Sequence, residues 1–186
     1  EGGKNASLGE MIHHLVPMGI NVPNGFATTS RAYWSFISEN ELGDRIQEEL
    51  DRFKSGNIPL VEAGHNIRQM IVKGIFPTSL AEDIREAYER LSVDYDQYNV
   101  DVAVRSSATA EDLPNASFAG LQETYLNIRG KDELLKTCKR CFASLFNDRA
   151  ISYREEKGFE HMKVALSIGI QKMVRADKAS SGVMFT

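Results

Sequence analysis

The run Val100-Asp101-Val102-Ala103-Val104-Arg105-Ser106-Ser107-Ala108-Thr109-Ala110-Glu111-Asp112 is where the pattern of the chain changes. Val100, Val102 and Val104 alternate with Asp101, Ala103 and Arg105, a period of two that predicts a strand ending at Arg105. Upstream the period is that of helices. Leu8, Met11, Ile12 and Leu15 share one face, and so do Ala32, Tyr33, Phe36 and Ile37 behind capping candidates Thr28, Thr29 and Ser30. Three more helices follow on Leu42/Ile46/Leu50/Phe53, Leu60/Ala63/Ile67/Met70/Ile71 and Leu80/Ile84/Ala87/Leu91, the last with Ser79 and Glu82 spaced as a capping box after Pro77. Between the first two helices, Ile20 to Ala27 reads as a short extended segment broken by a turn at Pro23-Asn24-Gly25.

Downstream, 106–120 reads as a loop of small and polar residues, too long for mere connection and expected to be mobile until a ligand orders it. Glu123 to Ile128 reads as a strand, Lys131 to Phe146 and Asp148 to Lys157 as helices, Val164 to Val174 as a strand, and Asp177 to Gly182 as a turn into a final strand. Helices first, then strands mixed with helices and no regular βαβ alternation, predict an α+β fold. A helical part, 1–98, precedes an α/β part, 99–186, both within one binding region.

Composition narrows the function. With 42% hydrophobic and 26% charged residues among 186, the chain reads as a folded globular protein. A net charge of −4 lacks the basic footprint that counterion release from nucleic acid requires, so any anion site must be local. No apolar run approaches the roughly 20 residues of a membrane span, and the composition is read as cytoplasmic. Both ends read as cut, because the chain opens on Glu1-Gly2-Gly3-Lys4 and stops within a strand-like run. Cys138 and Cys141 form a C-x-x-C, which could serve redox chemistry or half a zinc site. They fall in the apolar helical stripe Leu134, Cys138, Cys141, Phe142, Leu145, however, and no second Cys or His pair completes a tetrahedron, so they are read as packing residues.

Three short motifs suit an anion. Gly2-Gly3-Lys4 opens a helix, where bare amides, the positive end of the helix dipole and a compact cation converge; it is not a P-loop, since Asn5 stands where Ser or Thr is required. Arg105 with Ser106, Ser107 and Thr109 offers a planar guanidinium fork and hydroxyls to phosphate oxygens. Ser117-Phe118-Ala119-Gly120, leading into Thr124, could close backbone amides over phosphates. Taken singly, each also reads blandly: a glycine turn with an exposed lysine, a salt-bridged arginine, a loop.

Taken together, and with their flanks, they resemble one family. The runs Gly2 to Met11, Val22 to Thr29, Val104 to Pro114, Ala116 to Gly120 with Gln122-Glu123-Thr124, Ser144 to Arg154, Gln171 to Val174 and Ser181 to Thr186 are similar to the dikinases that use phosphoenolpyruvate or pyruvate. The resemblance implies an ATP-grasp nucleotide-binding fold. It implies Lys4 and Arg105 as catalytic phosphate ligands, Gly120 in the phosphate-covering loop, Thr124 beside the phosphates, and Gln171, Met173 and Val174 lining an adenine pocket. Leu121 departs from the glutamine usual in the family, which puts a side-chain role there in doubt. ATP and magnesium are the implied cofactors, with the metal ligands beyond this chain. Phosphohistidine and pyruvate-binding domains of a longer parent are the implied partners, and none of His13, His14, His65 and His161 matches a phosphohistidine motif.

The synthase branch of that family, which the run Ala110 to Pro114 resembles, converts ATP, pyruvate and water to AMP, phosphoenolpyruvate and phosphate through a phosphohistidine. This piece alone is expected to be inactive. Antibiotic, glucan and pyruvate phosphate dikinase relatives with the same nucleotide head stay open as alternatives, as does a non-catalytic nucleotide-binding module.

Overall fold

The computed structural model describes residues 3–108, 112–113, 116–117, 123–175 and 182. Seven α-helices form among the described residues: α1 (Gly3–Leu15), α2 (Ser30–Glu39), α3 (Leu42–Lys54), α4 (Leu60–Lys73), α5 (Thr78–Asp94), α6 (Lys131–Ser144) and α7 (Asp148–Lys157). Six strands accompany them: β1 (Gly25–Ala27), β2 (Val102–Ala108), β3 (Asp112–Leu113), β4 (Ala116–Ser117), β5 (Thr124–Ile128) and β6 (Leu166–Lys172). The sheet runs β1-β6-β2-β5, every neighbour antiparallel, while β3 and β4 pair as a separate hairpin. The α+β class is therefore as the change of period predicts.

Apolar periodicity sets the packing. Leu42, Ile46 and Leu50 of α3, Ala63, Ile67 and Ile71 of α4, and Leu134, Cys138, Cys141 and Phe142 of α6 are all at most 2% exposed. Burying each large aliphatic side chain contributes about 1.5–3 kcal/mol before entropy is counted. Phe36, Phe76 and Phe142 form an aromatic centre with ring centroids 5.3 to 6.0 Å apart. Tyr88 fastens the helical layer to the sheet: its hydroxyl donates to the Val100 carbonyl at 2.7 Å and accepts from the Gly130 amide at 2.8 Å.

Several local expectations need correction. The strand does not end at Arg105; it runs on through Ala108, because Ser106, Ser107 and Ala108 pair with Ile168, Ser167 and Leu166. The expected loop over 106–120 thus starts inside the sheet and contains the β3–β4 hairpin. Neither expected cap forms: Thr29 and Pro77 occupy the N-cap positions without a side-chain hydrogen bond, and Thr28 instead extends the sheet, donating its amide to the Ile168 carbonyl at 2.9 Å. In α5 the buried positions are Ala81, Ile84, Tyr88, Leu91 and Ser92. The expected final strand lies outside the described residues.

Helix α1 departs most from its amphipathic reading. Leu8, Ile12 and Leu15 remain only half-buried and Met11 is 47% exposed. Among the side chains of α1 that are described, Asn5 is the buried one.

Candidate functional site

The pleat divides the sheet into two chemically different faces. Val102, Val104, Ile168 and Ile170 point into the helical core, where α6 packs across β2, β5 and β6. Alternate residues face the other way. Directly opposed residues of an antiparallel ladder share a face, so the register places Thr124 (β5), Arg105 (β2), Gly169 (β6) and Ala27 (β1) in one row across all four strands. The adjacent row holds Ala103, Gln171 and Gly25. This second face is small and polar where the first is branched and apolar.

Arg105 is the cation of that face. It is half-buried on β2, and among the described residues no side chain pairs with its guanidinium. The exposed positions of the row, Thr124 and Ala27, leave a long cation room to meet an anion beside them. On the same strand, Ser107 is fully buried and its hydroxyl has no hydrogen-bond partner among the described residues. Ser106 has a different task, on the core side: its hydroxyl accepts the Glu123 amide at 3.1 Å and so fixes where β5 begins.

The first turn of α1 docks onto this face. Asn5 Nδ2 donates to Ser167 Oγ at 2.8 Å, and Ser167 Oγ in turn donates to the Ser107 carbonyl at 3.3 Å. The Asn5 amide lies over Gly169, the residue opposed to Arg105, so closely that a Cβ on Gly169 would collide with its Oδ1. The first-turn backbone that carries Lys4 is thereby brought beside the Arg105 strand, though the Lys4 side chain lies outside what is described. The two motifs are 101 positions apart in sequence, and nothing in their separate spacing could have predicted this contact.

The remaining expected residues fall into three groups. Thr124 is exposed and opposes Arg105. Gln171 lies on the same face, its Nε2 donating to the Pro23 carbonyl at 3.0 Å. Met173 follows the end of β6, held by its amide's bond to the Asp101 carbonyl at 2.9 Å, and Val174 beyond it is 62% exposed. Gly120 lies outside the described residues. Asn5, Ser167 and Gly169 were missed by the sequence reading; the departure of Asn5 from the P-loop Ser/Thr was the one visible signal.

Two buried charge clusters brace the scaffold away from this face. Burial alone would raise the Asp101 carboxyl, but its bond from Lys172, backed by Arg129, holds it below the usual carboxylate range. Arg154, fully buried, donates from Nε to His161 Nδ1 at 2.8 Å and from Nη2 to the Leu145 carbonyl at 2.6 Å. Burial pushes that guanidinium down to about 10. His161 Nε2 completes the chain to Glu155, which also meets Lys54 at 3.2 Å. Both cysteines are buried and free; burial raises the Cys138 thiol to about 12 and Cys141 well above its ordinary value, the opposite of what a reactive thiolate needs. Among the described residues no group of three or more His, Cys, Asp or Glu side chains is arranged to hold a metal ion. Among the described residues no helix is long and apolar enough to cross a membrane.

An α+β scaffold with one apolar face and one small, cationic face defines a ligand-binding module. The whole chain, residues 1–186, matches the family described as pyruvate phosphate dikinase, AMP/ATP-binding domain, and it belongs to that family. It is 56% identical to phosphoenolpyruvate synthase of Helicobacter pylori and 56% identical to that of Escherichia coli, each over 186 residues and 100% of this chain. It is 50% identical to a probable phosphoenolpyruvate synthase of Methanocaldococcus jannaschii over the same span. The chain covers 23% of the first two relatives and 15% of the third.

Proposed function

We propose that this chain is the ATP-binding part of a phosphoenolpyruvate synthase, built on an ATP-grasp fold. In this reading the polyphosphate lies over Arg105 and Thr124, next to the Asn5 amide that covers Gly169, with Lys4 and Arg105 as its cations, Thr124 beside it and Gly120 in the covering loop. The adenine sits against Gln171, Met173 and Val174. The helical 1–98 and the α/β 99–186 parts act as one unit. The observation that carries the reading is Arg105, set in a row of small residues beside the first turn of α1 and without a side-chain partner among the described residues.

The parent protein would convert ATP, pyruvate and water to AMP, phosphoenolpyruvate and phosphate, in the gluconeogenic direction and in the cytoplasm. The γ- and β-phosphoryl groups leave as phosphate and as the phosphoryl group that a histidine elsewhere in the parent passes to pyruvate. The task of this part is to bind and orient the polyphosphate and to stabilise the charge that develops on the phosphoryl oxygens as the bond breaks. Magnesium would offset further phosphate charge, and in this reading its ligands lie outside this chain. The full-length parent supplies the test. An azido-adenine ATP photoprobe should label the peptide spanning 171–174, and pyruvate should be converted to phosphoenolpyruvate with release of AMP. Labelling confined to other peptides would overturn the adenine assignment, and ATP turnover without phosphoenolpyruvate would favour a related dikinase with another acceptor.

A further inference from the structure

Among the described side chains of helix α1, one amide forms the hydrogen bond that pins it to the sheet. Its apolar stripe is half-buried at best, and among its described side chains the buried one is Asn5. That amide donates to Ser167 Oγ at 2.8 Å, and Ser167 is bonded to the Ser107 carbonyl, so the helix is pinned to β6 and β2 together. The seat is made for it. Gly169 must lack a side chain, because a Cβ there would strike Asn5 Oδ1, and Gly169 is the residue opposed to Arg105. Lys4 precedes Asn5 directly, in the first turn of the same helix.

We propose that Asn5 is a positioning residue: seated on Gly169 and Ser167, it sets the Lys4 end of α1 against the Arg105 strand, so that two cations far apart in sequence address one ligand. The proposal rests on the polyphosphate reading above. A glycine elsewhere on β6 would not serve, since only the residue opposed to Arg105 puts the helix end beside that guanidinium. A single hydrogen-bonded amide has sufficient leverage because each residue of a helix advances only about 1.5 Å, so loss of the pin displaces the adjoining lysine directly. Misplacement of a charged group by about an ångström is enough to alter transition-state and ground-state binding unequally.

The experiment is a double-mutant cycle in the full-length parent, reading the dissociation constant of a non-hydrolysable ATP analogue, kcat and KM for ATP, and thermal unfolding. Lys4→Ala, Asn5→Ala and the pair are compared. Asn5→Ala is expected to weaken analogue binding about tenfold in the native background and by less than about twofold when Lys4 is already alanine, because its effect passes through Lys4. Gly169→Ala should reproduce the Asn5→Ala defect from the sheet side, and adding it to Asn5→Ala should cost no further binding. It also serves as the second probe should Asn5→Ala fail to fold. A defect of equal size with and without Lys4, or a fall in melting temperature with unchanged analogue binding, would overturn the positioning role and leave the site reading intact. If Lys4→Ala itself leaves analogue binding unchanged, the polyphosphate reading fails and the role of Asn5 with it.

Discussion

Arg105 on β2 and Thr124 on β5 stand directly opposite one another on the face of the sheet that turns away from the helical core. One is half-buried and the other exposed, so a ligand can reach both without moving the backbone. If Arg105 grips a polyphosphate, Arg105→Lys in the full-length parent should lower ATP-dependent phosphoenolpyruvate formation roughly ten- to hundredfold, since lysine keeps the charge but loses the fork and a charge-assisted bond contributes about 1.5–3 kcal/mol. Melting temperature should barely change. Near-normal turnover with a lowered melting temperature would mark Arg105 as a structural ion-pair residue instead.

Gly25 is the next weak point, for a backbone reason. It opposes Gln171, and a Cβ at that position would collide with the Ile170 carbonyl oxygen and lie 2.9 Å from the Gln171 Cα. Backbone cannot swing aside as a side chain can. Gly25→Ala should therefore detach β1 from β6 and destabilise by about 1–3 kcal/mol, visible as a lower denaturation midpoint. An unchanged midpoint would show that the β1–β6 edge relaxes freely.

The buried chain Arg154–His161–Glu155 gives a pH dependence with a definite sign. Burial, together with the Arg154 charge, lowers His161 from its ordinary value of 6.5 against the opposing pull of Glu155. The unfolded chain therefore takes up a proton more readily than the folded one. The stability this confers is complete above the unfolded value and is lost as pH falls from there through the lower folded value. Glu155 adds a loss of the same sign at lower pH, because its bonds from His161 and Lys54 overcome burial and hold its carboxyl below 4.5. Melting temperature should fall as pH drops below about 6.5. His161→Gln keeps an acceptor for Arg154 and a donor for Glu155 and should flatten that first step. A profile unchanged by the substitution would assign the step to other groups.

Cys138 and Cys141 are predicted to be inert packing. Each →Ala change removes a small buried group and should cost about 1 kcal/mol in unfolding experiments, with turnover per folded molecule unaltered. Stoichiometric zinc in the purified parent, or loss of turnover without loss of stability, would contradict this.

The sequence by itself determined the class of fold, the position of nearly every helix and the burial of the cysteines. These properties follow from local periodicity: an apolar stripe at 3.6 residues and an alternation at two are written in consecutive residues, as α3, α4 and α6 show in Leu42/Ile46/Leu50, Ala63/Ile67/Ile71 and Leu134/Cys138/Cys141. The family, too, could be recognised in the runs around Lys4 and Arg105, now met by a match over residues 1–186. Only the tertiary structure decided how far β2 continues, because Ser106, Ser107 and Ala108 have the composition of a loop and become strand through partners some 60 residues away. Only it could show that Asn5 pins α1 to the sheet, and that the amide lies over Gly169, the residue opposed to Arg105 in register. Register across a sheet is a relation between distant segments, and a buried amide takes its meaning from what it touches; neither has a local signature for a sequence to carry.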